Sequence, residues 1–229
     1  MNNMSIIVYQ PGLTEYKEAS TLQKSIRHKV IKGEAEDTLL LLEHPPTITI
    51  GKSGKPENVL VSEAELAGQG ISIFFTERGG DVTFHGPGQL VAYPILDLNK
   101  RGRNGHKYVY DLEETVLRTL SDLSITGSRD ESHAGIWVNN NEIAAIGISL
   151  SKWVTMHGIA LNVNIDLQPF SLIYPCGFTD RKATSISELL SREIPVKEVT
   201  ERFLAHFAEI FETDFICESI PQAKGGSYE

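Results

Sequence analysis

The chain has 229 residues, 41% of them hydrophobic, which is ample for a well-buried core in one domain or two small ones. Its 21 lysines and arginines stand against 30 aspartates and glutamates, a formal charge of −9. That balance argues against nucleic acid or an anionic membrane as the main partner. Two cysteines, Cys176 and Cys217, form neither a disulfide framework nor a metal cluster, so no metal is expected and a reducing compartment is.

At the start, MNNMSIIVYQPG has neither the basic n-region of a signal peptide nor the Arg-rich character of a transit peptide. No apolar run approaches transmembrane length, so the expectation is a soluble, cytoplasmic protein. Residues 5–10 read as a short β segment closed by Pro11-Gly12. Leu13, Tyr16, Ala19, Leu22 and Ile26 recur near helical spacing, which predicts a long helix over 13–31. TLLLLEH, 38–44, is a buried strand stopped by Pro45-Pro46, and TITIGK, 47–52, is a second one. ISIFFTE, 71–77, and QLVAYPILDL, 89–98, are further strands rich in β-branched and aromatic residues. Amphipathic helices follow at 109–123 and 196–211, the latter with Val196, Val199, Phe203, Phe207 and Ile210 in one stripe. Residues 134–165 between them are strands punctuated by Asn-rich turns. The reading is one α+β domain over 1–220, without repeat or linker, with 221–229 as a flexible tail.

Four stretches could carry chemistry. RGGDVTFHGPGQL, 78–90, surrounds Arg78 and His85 with Gly79, Gly80, Gly86 and Gly88. Glycines at that density let backbone approach a ligand closely, and the Arg and His add a cation and a proton-transfer or hydrogen-bonding group. The competing account is two ordinary hairpin turns, and the spacing is not that of a nucleotide-binding loop. IYPCGFTD, 173–180, holds Cys176 in a tight turn, a better setting for a nucleophile than an apolar run; Cys217 reads as packing. KWVTMHGIALNVN, 152–164, carries His157 and Gly158, companions for a Cys/His acyl-transfer arrangement. LNKRGRNGHKY, 98–108, is a basic stretch, either a solvated loop or a landing strip for an acidic partner.

In NNNEIAAIGISL, 139–150, strict strand alternation puts Glu142 on one side with Ala144, Ile146 and Ile148. A carboxylate on an apolar face is costly unless something uses it.

Together, LLLLEHPPTITIG, RGGDVTFHGPGQLVAYPILDL, the G-I-W-V to I-A-A-I-G hairpin, WVTMHGIALNVN and PCG…TSI resemble the lipoyl(octanoyl) transferases over roughly residues 35–190. The resemblance implies an α+β fold of mixed and antiparallel sheets flanked by helices, the catalytic domain shared with biotin and lipoate protein ligases. It implies transfer of octanoyl from acyl carrier protein onto a cysteine, then onto a lysine of lipoyl domains. The acceptors would be 2-oxoacid dehydrogenase E2 subunits and the glycine-cleavage H protein, with no cofactor. Cys176 matches the acyl-accepting nucleophile. Arg78, Gly79, Gly80, His85 and Gly86 match the loop lining the acyl and carrier-arm site. Ala145, Ile146 and Gly147 match its wall, and His157, Gly158 and Ala160 match the T-x-H-G pocket. The basic stretch becomes a dock for the acidic carrier.

One position departs. Where the family has a lysine acting as acid/base partner of the cysteine, this chain has Glu142. An ammonium favours a neighbouring thiolate and a carboxylate opposes it; with an unshifted thiol, only about 3% is thiolate at pH 7. Three accounts follow: an impaired enzyme that still binds acyl carrier protein or lipoyl domains, Glu142 itself as general base, or takeover by His157, His85, Lys152 or Lys182. Reduced activity with fold and pocket retained is the expectation. A ligase that activates free lipoate with ATP is the rival function.

Overall fold

The computed structural model describes residues 4–131, 133–174 and 182–218. Its elements, in chain order, are β1 (Met4–Leu13), α1 (Tyr16–Lys32), β2 (Thr38–Glu43), β3 (Thr47–Ile50), α2 (Glu63–Gly68), β4 (Ser72–Phe75), β5 (Val82–His85) and β6 (Gln89–Ile95). There follow α3 (Gly105–Ser121), β7 (Ser128–Arg129), β8 (Gly135–Val138), β9 (Asn141–Ser151), β10 (Val154–Asn162), α4 (Ile186–Leu190), α5 (Val196–Ile210) and β11 (Thr213–Cys217). Among the described residues no helix is long and apolar enough to cross a membrane.

Eight strands form the main sheet in the order β11-β1-β2-β6-β10-β9-β8-β7, and three form a smaller one, β4-β3-β5. The pairing is parallel for β11-β1-β2 and for β3-β4, and antiparallel elsewhere. Both faces of the main sheet are covered. On one, α3 and α5 bury Leu112, Val116, Phe203 and Phe207 against Ala92, Ile159 and Leu161. On the other, α1 lays Ala19, Ile26 and Val30 against Leu40, Val91 and Ile95. The small sheet has its own apolar layer of Ile48, Ile50, Leu66, Phe84 and Phe170. That double coverage explains why β2 and β6 read as unbroken apolar runs rather than alternating ones.

Several sequence expectations need correction. The first strand does not stop at Pro11-Gly12 but continues to Leu13. Its pairing with β2 shifts register between Tyr9 and Gly12, a bulge that absorbs Pro11, which has no N–H to donate. Accordingly α1 begins at Tyr16, and Leu13 is 62% exposed. DVTFH is not a turn: Val82–His85 is a strand paired antiparallel with β3, and all four residues are buried. Cys217 is exposed at the end of β11 and does not pack.

Alternation also fails at the start of β9. Ala144 lies opposite Ile136 and Glu142 opposite Trp137, so Ile143 is an extra residue. A bulge of this kind breaks the two-residue period. Ala144 joins the α3/α5 core whereas Glu142 faces the opposite way, lining a cleft with Ala145 and Gly147.

Candidate active site

The cleft lies between the two sheets. Its floor is the centre of the main sheet. Gly147 pairs directly with Gly158 across β9 and β10, and Ala145 pairs with Ala160, so the floor is nearly bare backbone. A Cβ on Gly147 would meet Gly79 O at 2.8 Å, and one on Gly158 would meet Ala92 O at 2.3 Å. Glycine is therefore required at both positions by close approach of backbone. The opposite wall is the polar face of the small sheet, with Thr83 and His85 of β5 beside Thr49 of β3. Tyr16 of α1 and Tyr93 of β6 complete an aromatic side.

Arg78 clasps this arrangement. Its Nη2 donates to Thr49 O at 2.7 Å and Asp81 O at 2.8 Å, and its Nη1 donates to Gly79 O at 3.0 Å. Nε and Nη2 both donate to Thr49 Oγ1. The guanidinium is thus spent on protein acceptors that hold the 78–81 turn over β3. Gly79 donates its N–H to Ile148 O at 2.8 Å, tying the turn to β9. Asp81 accepts from Asn58 Nδ2 at 2.5 Å and from the backbone N–H of Lys55.

Three buried histidines gather here, each with burial as the main influence on its acidity. His44 is pushed down to about 4 by burial, opposed by its bond to Thr14 O. Its Nδ1 donates to Thr14 O at 2.6 Å, so its Nε2 accepts from the Tyr93 hydroxyl at 2.9 Å. Burial also holds His85 well below the usual range, with His44 adding to the effect. His157 is pushed down to about 3 by burial and by Arg78, against the opposing pull of Glu77. Its backbone is left-handed at φ 61°, its N–H donates to Gln23 Oε1 at 2.9 Å, and its Nε2 lies 3.3 Å from Thr76 Oγ1. All three imidazoles are neutral at pH 7. Burial raises the Tyr93 phenol far above its ordinary value and raises Tyr16 as well.

Of the residues singled out in the sequence, Arg78, Gly80, His85, Glu142, Ala145, Ile146, Gly147, His157, Gly158 and Ala160 line this cleft. Gly79 sits at its edge through the bond to Ile148. Gly86 is elsewhere, lining a separate groove with Phe84, Pro87 and Ile165. Cys176 lies outside the described residues, which resume at Lys182. Glu142, 4% exposed, donates its N–H to Lys182 O at 2.8 Å and accepts from Thr184 N at 2.9 Å, bridging to Ala183 in parallel. Lys182 is exposed, and Lys152 occupies the turn after β9, roughly 30 Å along the strand from Glu142. Tyr16, Tyr93, Asp81 and Thr83 join the site without a signature of their own in the sequence.

In the basic stretch 98–108, Lys100, Arg103, His106 and Lys107 are exposed, and Arg101 is drawn into the fold. Arg101 is buried against Asp37 at 3.0 Å and donates to Phe211 O, and Lys107 pairs with Asp111. Leu98 bonds Trp153 O at the β9–β10 turn, so this stretch lies at the far end of β9 from Glu142.

Comparison with known proteins adds the following. The lipoyl protein ligase A/B catalytic domain matches residues 15–208. An octanoyltransferase of Desulforamulus reducens is 42% identical over 222 residues, covering 96% of each chain. One from Caldicellulosiruptor bescii is 47% identical over 210 residues, covering 91% of this chain and 92% of its own. Among solved structures, a lipoate-protein ligase A bound with ATP superposes with a TM-score of 0.76 at 15% identity, over 97% of this chain and 90% of that one, a likeness of fold alone.

Proposed function

This chain belongs to the lipoyl protein ligase A/B catalytic-domain family and is an acyltransferase, and from that premise we propose that it moves an octanoyl group from acyl carrier protein, through a thioester on Cys176, to a lysine of lipoyl domains. The acceptors would be lipoyl domains of 2-oxoacid dehydrogenase E2 subunits and the glycine-cleavage H protein. In the first half-reaction the Cys176 thiolate attacks the donor's thioester carbonyl, and the carrier's thiol leaves with a proton. In the second, the acceptor's amine attacks the new thioester, an amide forms and the Cys176 thiolate departs. Two easier steps replace one hard transfer.

The observation that carries this reading is the grip of Glu142 on residues 182 and 184. It brings residues 182–184, downstream of Cys176 in the chain, to the wall of a cleft whose floor is bare and whose histidines are neutral. A neutral alkyl chain suits such a cleft. A free carboxylate or an acyl-adenylate does not: among the described lining residues Arg78 is the only cation, and its donors serve Thr49, Gly79 and Asp81. Asp81 and Glu142 add acidic character. The ATP-dependent ligase reading is disfavoured on that ground, and no ATP–pyrophosphate exchange is expected.

Glu142 has opposite effects on the two half-reactions. A carboxylate disfavours the thiolate that must form first, which slows charging of Cys176. The same carboxylate attracts the acceptor's ammonium and can take its proton, freeing the amine to attack. His85 and His44 are poor substitutes, since both ring nitrogens of each are engaged within the protein. The carrier is not assigned to residues 98–108, because a donor docked there would sit roughly 30 Å from Glu142.

Mass spectrometry after mixing with octanoyl-carrier protein tests the core of this reading. An octanoyl increment that disappears in Cys176→Ser is expected; an unmodified parent protein would sink it. With the half-reactions timed separately, Glu142→Lys should charge faster than the parent, and Glu142→Gln should discharge more slowly to a lipoyl domain. If Glu142→Lys charges no faster, Glu142 is not the limiting group.

A further inference from the structure

A line of buried polar groups crosses the molecule from the Arg78 turn to Thr184, and its hydrogen bonds run in one direction only. Thr49 Oγ1 accepts from Arg78 Nε at 3.2 Å and Nη2 at 2.9 Å, so its single hydroxyl hydrogen is directed to His85 Nε2 at 3.2 Å. His85 therefore carries its proton on Nδ1 and donates to Gln89 Oε1 at 2.8 Å. That choice fits the other end of Gln89, whose Nε2 donates to Phe84 O at 3.1 Å and to Asn162 Oδ1 at 2.9 Å. Asn162 is left with its amide nitrogen free to donate, and it gives a 2.9 Å bond to Thr184 O. Thr49, His85, Gln89, Asn162 and Thr184 are all buried. Reversing any one amide would set donor against donor among buried groups.

Thr184 is thus held from two strands at once, by Glu142 O of β9 through its N–H and by Asn162 of β10 through its carbonyl. It is two residues from Lys182, where the segment following Cys176 enters the described structure. We infer that Gln89 and Asn162 are positioning residues for the transfer reaction, acting through the hold they place on residues 182–184, downstream of Cys176 in the chain. This rests on the reading that Cys176 carries the acyl group. The Arg78 turn and residues 182–184 are then joined by one continuous chain of hydrogen bonds. Misplacement of a reacting group by about an ångström is enough to cost a large factor in rate.

Asn162→Asp isolates the link: it keeps an acceptor for Gln89 Nε2 but turns an oxygen toward Thr184 O. Hydrogen–deuterium exchange of a peptide covering 182–187 reports the anchor, independently of chemistry. Single-turnover octanoylation, followed at varied donor concentration in a Cys217→Ser background, reports the consequence. We expect exchange of this peptide to quicken at least about tenfold and the maximal acylation rate to fall about tenfold, with half-saturating donor concentration within about twofold. Iodoacetamide alkylation of Cys176, which needs no docked substrate, should change little. Gln89→Glu, which cuts the chain one link earlier and keeps the His85 bond, should repeat the pattern and serves if Asn162→Asp does not fold. Unchanged exchange in the folded variants overturns the inference, as does quickened exchange with an undiminished acylation rate. A fall in rate matched by loss of donor affinity would mark a merely structural role and overturn it too. Failure of the parent itself to acylate Cys176 would instead remove the reading beneath it.

Discussion

Replacing Arg78 by methionine should be among the most damaging single changes available in this protein. The side chain keeps much of its volume but loses every donor. Three backbone carbonyls, of Thr49, Gly79 and Asp81, lose a charged partner, and so does Thr49 Oγ1. A hydrogen bond from a charged group contributes about 1.5–3 kcal/mol, and a buried acceptor left without one costs about 1–3 kcal/mol. Asp81 O retains a second donor in Gly51 N at 3.0 Å, so its loss is the smallest. The expected total is about 3–5 kcal/mol, a large part of the roughly 5–15 kcal/mol that holds a domain folded. Urea unfolding followed by tryptophan fluorescence and circular dichroism would read it as a lower midpoint with an unchanged slope. A loss below about 1 kcal/mol would refute the clasp, and would mean that the cation is held for a ligand rather than for the backbone.

Gly158→Ala should destabilise by about 1–3 kcal/mol, because its Cβ would fall 2.3 Å from Ala92 O on a strand that cannot retreat; an unchanged melting temperature would contradict the assigned register. Ala160→Leu adds bulk to the cleft floor beside Ala145, and should move acyl preference about two carbons shorter, read by competing octanoyl and hexanoyl donors; an unshifted preference would put the alkyl chain elsewhere. Stability should fall on acidification. His44 and His157 have folded values of about 4 and about 3 against 6.5 unfolded. The unfolded chain therefore takes up protons first, and each histidine's contribution is complete above pH 6.5 and declines at about 1.4 kcal/mol per unit below it. Urea midpoints at pH 6.5, 5.5 and 4.5 should fall in step, and a flat profile would refute the burial of neutral imidazoles.

Much of the frame is legible in the sequence because it follows simple periods. The stripes of α1, α3 and α5 and the runs of β2, β3 and β6 declare themselves. What stays hidden depends on partners. Val82–His85 alternates apolar and polar over only four residues, too short a run to stand out, and its flanking glycines read as turns. The bulge at Ile143 exists only relative to β8, so no inspection of β9 alone could tell which way Glu142 points. The aromatic side of the cleft assembles Tyr16 and Tyr93 from distant segments, each of which reads on its own as packing.

The pairing of Gly147 with Gly158 and Ala145 with Ala160 has a consequence for how this protein can change. A floor with almost no side chains has almost nothing left to delete. Substitution there can subtract from what the cleft admits, by adding atoms, but can enlarge it by no more than the methyl of Ala145 or Ala160. Under the proposed transfer, variation toward shorter acyl chains is therefore confined to Ala145 and Ala160, since close backbone keeps 147 and 158 as glycine.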